Sequence, residues 1–362
     1  MDYEQILDEQ MNQVLEGEDI SGISDEAYRL SEGLSDPFTL ENILNSTIGQ
    51  ESIFHQEGLI DGVRSLLLYE VQNALVLGVE ILSICIIIGL LKSLAEGFAS
   101  KSVSQLSLMV CTMVIIGISI NSFRISYQLV LDTVSTMVYT MEILMPILIG
   151  ILIATGSVTS GTILSPVITG AVTGFAFLIK TIVLPALFVS TILSLINCLT
   201  EKDYVNKLAK LLRSASLFVT GLILTLLGGI ITIQGLLTET SDGLLISTAK
   251  YSLSTFIPIV GGFTSDTVEL FLRCMGSIKS VVGVFGLLML VLMMAVPLLK
   301  VVIAGAIYKL TAALVEPVTD TKIADGLNEM GSTMISMASV LFFTSLLFII
   351  FISTIMRIGG AA

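Results

Sequence analysis

Apolar and polar positions divide this chain at about residue 70. From residue 71 onward the pattern is one of apolar runs about 20 residues long, the length at which a helix rising 1.5 Å per residue crosses roughly 30 Å of hydrocarbon. The runs fall at 71–91, 104–121, 134–154, 163–198, 215–237, 244–262, 281–308 and 333–355. None alternates apolar and polar residues as a barrel strand does, and backbone groups in lipid must be satisfied within their own segment, so the pattern predicts helices. An all-α polytopic membrane protein with about 7–8 membrane segments is expected. The runs 163–198 and 281–308 are too long for one simple span. Each carries a proline (Pro185, Pro297) and a lysine (Lys180, Lys300), and broken or re-entrant helices are expected there.

The runs also repeat. Pro146 and Pro185 are 39 residues apart, as are Pro258 and Pro297, and the 112-residue shift that superimposes them lays Gly150 on Gly262 and Gly174 on Gly286. Leu144 to Gly150 (LMPILIG) then matches Phe256 to Gly262 (FIPIVGG), and the last run falls over 215–237. A unit of roughly 100 residues copied once accounts for this better than coincidence in a low-complexity chain. The expected organisation is an acidic N-terminal region in 1–65, two lead-in transmembrane helices in 66–130, a first membrane repeat in 131–240 and a second in 241–362.

Composition narrows the class. Hydrophobic residues make up 54% and charged residues 13%, with mean hydropathy +0.95, whereas soluble domains carry about 25% charged residues. A soluble globular protein is excluded. Residues 1–70 hold 16 of the 30 acids and 2 of the 17 bases, so the net charge of -13 is an N-terminal property. That region is too polar to span a bilayer. Asp36-Pro37 reads as the start of a short amphipathic helix. No basic start followed by an apolar stretch precedes it, so the first spanning segment is expected to direct insertion unless a leader has been trimmed.

The longest basic cluster, Lys202, Lys207, Lys210 and Arg213, reads as a membrane-flanking loop and not as a nucleic-acid surface. Cys85, Cys111, Cys198 and Cys274 sit in or beside different apolar segments without metal or redox spacing and read as packing residues. The single histidine, His55, has no partner ligand set, and neither a metal nor a cofactor is expected. Asn45-Ser46-Thr47 reads as a turn.

Basic residues collect on the cytoplasmic side of membrane proteins. With the acidic region outside, Lys92 and Lys101 fall inside after one crossing. The cluster 202–213 joins them only if 163–198 enters and leaves on one face, as a hairpin. The same treatment of 281–308 places Arg273, Lys279, Lys309 and Lys322 inside. The rival arrangement makes each long run a single tilted span.

Ionisable groups in hydrocarbon are costly, which singles out Glu80, Glu142, Lys180, Lys250 and Lys300 as candidates to line a polar cavity. Snorkelling or an edge location is the competing account. Prolines free helix carbonyls, and broken helices at membrane depth are where transporters bind ions and substrates, so Pro146, Pro185, Pro258 and Pro297 are hinge candidates, with Gly150 and Gly262 beside them. Kinks that serve packing alone compete with that reading. Gly170 and Gly174 form a small-xxx-small pair suited to a helix contact. The chain has no GxxxxGK[ST], HExxH, GxSxG or strand-borne GxGxxG motif, and no enzymatic activity is expected.

One resemblance adds to this. Asp242-Gly243 with Thr248-Ala249-Lys250, Phe256 to Gly262 and Ser265-Asp266-Thr267 resemble the stage III sporulation protein AE family of endospore-forming bacteria. Asn121-Ser122-Phe123, Leu211-Leu212-Arg213 and Ile307-Tyr308-Lys309-Leu310 are similar to the same family in order and spacing, over residues 59–358. The resemblance implies a multi-pass protein of the mother-cell membrane around the forespore. It would act with other stage III A sporulation proteins and a forespore membrane partner in a channel or secretion-like complex. It implies no catalytic residues. Apart from the resemblance, the residues leave open a stand-alone secondary transporter and a non-conducting scaffold, with the lipid bilayer as the one partner in common and a homo-oligomer compatible with each.

Overall fold

A computed structural model of the chain describes residues 71–72, 75–76, 78–87, 89–90, 101–155, 157–198, 205–256, 261–317 and 321–358; within its helices the side chains of 101–108, 111, 158–160, 163–165, 231–232 and 234–273 are not described. The acidic N-terminal region, with Asp36-Pro37, the Asn45 triplet and His55, lies outside the described residues, as does Pro258. Everything below belongs to the unit Glu70–Ala362.

The described residues are helical throughout. A short apolar helix, α1 (Gly78–Ile87), precedes α2 (Lys101–Ala154) and α3 (Val158–Leu178). A single π turn (Ile179–Val183) joins α3 to α4 (Leu184–Cys198), and α5 (Asn206–Phe256), α6 (Gly261–Val315) and α7 (Thr321–Arg357) follow. Among the described residues five stretches are long and apolar enough to cross a membrane: Thr112–Ala154, Pro166–Cys198, Asn206–Ile230, Cys274–Val315 and Thr321–Arg357. The chain is an all-α polytopic membrane protein.

Two expectations about the runs need correction. The runs 104–121 and 134–154 are not separate spans but parts of one helix, α2, and 215–237 continues into α5 as far as Phe256. The stretch between the first pair explains why. Residues 122–133 contain no glycine or proline, and their polar members Arg124, Gln128 and Asp132 recur every four residues on an exposed face, while Phe123, Ser126, Val130 and Thr133 are buried. Averaged hydropathy dips there, but the period remains that of a helix.

The second correction concerns the long runs 163–198 and 281–308, which do not turn back as hairpins. Each continues in one direction. Pro185 is accommodated by the π turn, where the Leu184 N–H donates to the Ile179 carbonyl, five residues back. Pro185 has no N–H to offer, and widening the preceding turn keeps the helix going. Pro297 lies buried inside α6 without a break.

Basic residues therefore sort differently than a hairpin would sort them. Gly305 meets Gly331 while Gly283 meets Met356, so α6 and α7 run antiparallel. Lys309 packs on Gly331, at the end where Lys210 and Arg213 reach α7, and Lys322 lies near the start of that helix. Lys279 belongs to the opposite end, where its buried ammonium donates to the Ile358 carbonyl and caps the C-terminus of α7.

The core sits around α7, which touches α2, α4, α5 and α6. Met330, Met334, Met337, Val340, Leu341, Phe348 and Phe351 are fully enclosed, with Met137, Met141, Leu148 and Leu152 of α2 also buried. A helix packed against four neighbours needs apolar residues beyond a single stripe, and unbranched methionines fill the irregular gaps between those neighbours. Several of its hydroxyls turn back on their own helix, as in Ser336 Oγ to the Ser332 carbonyl at 2.9 Å and Thr344 Oγ1 to the Val340 carbonyl at 2.8 Å, whereas the buried Ser345 Oγ has no partner among the described residues.

Candidate functional site

One end of the bundle concentrates the polar chemistry. The end of α4 and the starts of α5 and α7 meet there because the α4–α5 and α6–α7 connections close on the same side. Ser190 Oγ donates to the Ala209 carbonyl at 2.7 Å and ties α4 to α5. The amide oxygen of Asn197 accepts the Val205 N–H at 3.5 Å, just ahead of α5.

Glu329 is the hub. Its Oε2 accepts from Arg213 Nη1 at 2.5 Å, its backbone carbonyl accepts from the same Nη1 at 3.4 Å, and its Oε1 lies 3.3 Å from Lys210 Nζ. The Arg213 and Glu329 side chains are only 19% and 14% exposed, whereas Lys210 is 53% exposed. The arginine pair is therefore the strong one, and the lysine contact is weakened by solvent.

Beside Glu329 lies a cavity of about 30 Å³, lined by Ser194, Asn197, Asn206, Lys322 and Asp325 and bounded by Cys198 and Gly326. It is polar and large enough for about one water. Across the bundle at this end the buried hydroxyl of Tyr308 faces Ser119 and Ser122 of α2. No group of three or more His, Cys, Asp or Glu side chains that could hold a metal occurs among the described residues.

The residues singled out from sequence do not gather at this end. Pro146, Gly150 and Glu142 lie on the exposed face of α2, and nothing stands within 4 Å of where a Gly150 Cβ would be. Lys180 is the second residue of the π turn and is half-exposed, with Pro185 half-buried just after the turn. Lys300 is half-buried on α6, and Glu80 is exposed on α1. Gly262 and Lys250 lie in α6 and α5, with surroundings outside the described side chains. Among the described residues nothing stands within 4 Å of where a Cβ at Gly170 or Gly174 would be, while the unanticipated pair Gly305 and Gly331 brings two backbones together, a Gly331 Cβ meeting the Gly305 carbonyl oxygen at 2.6 Å.

Glu329 was not anticipated either, because one acid near the start of an apolar run carries no motif. The available signal was the basic cluster, of which Lys207, Lys210 and Arg213 belong to the first turns of α5 and not to a loop. Three segments quoted for the family resemblance turn out to meet at this end: Ser122 faces Tyr308, and Arg213 holds α7 through Glu329.

A family model described as stage III sporulation protein AE matches residues 38–359. The chain belongs to the stage III sporulation protein AE family. The stage III sporulation protein AE of Bacillus subtilis (strain 168) is 29% identical over 327 residues, which cover 90% of this chain and 81% of that protein. No solved structure matches. Family membership supports a role in sporulation for this stage III AE chain, and its five apolar spans place that role in a membrane.

Proposed function

We propose that this chain is the non-enzymatic, conduit-building membrane component of the complex that links mother cell and forespore during endospore development. It resides in the mother-cell membrane around the forespore, with the acidic region 1–65 outside the cytoplasm. There it works beside other stage III A sporulation proteins and a forespore membrane partner. The observation that carries this reading is the family match over 38–359 on a chain with five spans.

Helix length supports it. The candidate spans of α2 and α6 are 43 and 42 residues long. At 1.5 Å per residue that is about 60 Å, roughly twice the hydrocarbon thickness, which leaves length to reach partners beyond the bilayer. Lys207, Lys210, Arg213, Lys309 and Lys322 favour the cytoplasm for the polar end. Descent of 131–240 and 241–362 from one unit is part of the proposal, and the succession of a long helix and a second apolar segment, α2 then α3–α4 and again α5 then α6, supports it.

The test uses a spore-forming host deprived of its own stage III AE protein. The chain is expected to restore spore formation and to collect in the membrane surrounding the forespore. Failure to restore spores at normal membrane abundance would overturn the reading. Saturable, ion-coupled uptake by the purified chain alone in sealed vesicles would favour a secondary transporter instead.

A further inference from the structure

The outward face of α2 is polar at a depth where lipid would have to cover it. Asn121, Arg124, Gln128, Asp132, Tyr139 and Glu142 are all exposed. At 100° per residue they fall within a sector about 80° wide. The opposite side of the same helix is packed, with Val130, Val134, Met137, Met141 and Leu148 buried. Asp132 Oδ1 accepts a hydrogen bond at 2.9 Å from Nε2 of Gln128, its neighbour on the stripe.

The depth follows from two contacts. Leu144 of α2 and Ile352 of α7 both pack on Gly286 of α6, so Glu142 stands near residue 350 of α7. Asp132, ten residues earlier on a helix antiparallel to α6, stands about 15 Å nearer to Glu329. The stretch of α7 from 330 to 356 has no charged residue. It is about 40 Å long, and a hydrocarbon slab of about 30 Å placed within it encloses both carboxylates. Charged side chains at such depth turn toward a bundle interior or toward water, and the interior side of α2 is already filled.

We propose that this stripe is the wall of a water-filled passage, rather than a lipid face or a dry contact. Like residues of copies related by an axis along the membrane normal stand at equal depth, so two stripes pressed together would set Asp132 against Asp132 and Glu142 against Glu142. Separated by water, the same residues form rings of carboxylate around a lumen, as charged rings do in ion pathways. Gly161 packed on Ile153, with Phe188 packed on Phe123 and Tyr127, brings Lys180 of the neighbouring segment level with Asp132. Among the described residues no Lys or Arg of α3, α6 or α7 stands level with Glu142, so it dominates the field on the passing solute and favours hydrated cations.

This rests on the conduit reading, and the experiment separates the two. Single cysteines replace Gln128, Asp132, Tyr139 and Glu142 in a full-length chain with its four natural cysteines changed to alanine, in membranes of sporulating cells. Phe177→Cys and Leu222→Cys, at exposed apolar positions, serve as references. A charged, membrane-impermeant thiol reagent is expected to modify the stripe at least tenfold faster than the references. Stripe cysteines as slow as Phe177→Cys toward that reagent, yet reactive to a lipid-soluble one, would show a lipid face. Protection from both reagents would show a dry protein contact, and either result overturns the proposal. Should a variant fail to accumulate, Asn121→Cys on the same face replaces it. Labelling reads water and not flux, so a reactive stripe in a chain that supports no solute passage would sink the conduit reading alone.

Discussion

At the residue scale the molecule is held by a few contacts whose strengths differ for stated reasons. Arg213 and Glu329 are largely enclosed, whereas Lys210 meets the same carboxylate from solvent. Arg213→Ala strands a largely buried carboxylate, which costs about 3 kcal/mol, and Lys210→Ala removes an exposed contact, which costs less than about 0.5 kcal/mol. Heating the detergent-solubilised chain and following its monodisperse fraction should show a clear drop in midpoint for the first and almost none for the second. Equal drops would count against the arginine as the principal partner. Sequence named Arg213 and Lys210 but could not name their acid, because proximity across 116 positions of chain leaves no local mark. A second contrast concerns close approach. A Cβ at Gly331 would stand 2.6 Å from the Gly305 carbonyl oxygen, which is backbone and cannot swing aside, while one at Gly283 would meet the flexible side chain of Met356. Gly331→Ala is expected to lower the midpoint by several degrees and Gly283→Ala by about one degree or less, the difference between overpacking and local adjustment. The reverse order would show that α6 and α7 do not cross at Gly305.

At the element scale the π turn is the feature with the clearest cause. A π turn is one residue inserted into an α-helix, and it persists here because Pro185 cannot donate to a carbonyl behind it. Deleting Thr181 in a Pro185→Ala background should give a continuous α-helix in which Ile179 and Val183 keep their buried sides on either flank of the deletion. That double variant is expected to retain spore formation, whereas deletion of Met337 from the enclosed stretch of α7 abolishes it by rotating half of the helix about 100° out of register. Loss of function in both would mean that the wide turn itself is needed. This also shows how far the helices were legible. Apolar runs about 20 residues long, without strand alternation, marked the helices, and each run described lies in a helix. The ends were not legible, because windowed hydropathy falls wherever a helix carries a polar stripe, as at Arg124, Gln128 and Asp132, and the prolines at 185 and 297 resemble breaks although neighbouring backbone absorbs them.

At the scale of the whole molecule the decisive arrangement is the convergence of α4, α5 and α7 at the polar end. If α2 does line water with its outward face, the helices packed behind it must stay closed, and the contact between Cys198 and Gly326 is where α4 is pinned to the start of α7. A Cβ at Gly326 would lie 3.8 Å from the Cys198 Cβ, the separation at which disulfides form. Gly326→Cys, in a chain with Cys85, Cys111 and Cys274 changed to alanine, should therefore oxidise to an intramolecular bridge. Two thiols would disappear from maleimide labelling and return on reduction. Retained labelling at both positions would place the two helices apart and remove the polar cavity with them. If the bridged chain still restores spore formation, α4 and α7 act as one rigid wall, and any opening during function must come from helices other than this pair. If bridging blocks spore formation until a reductant is added, the polar end itself moves, and the Arg213–Glu329 pair becomes the latch that closes it.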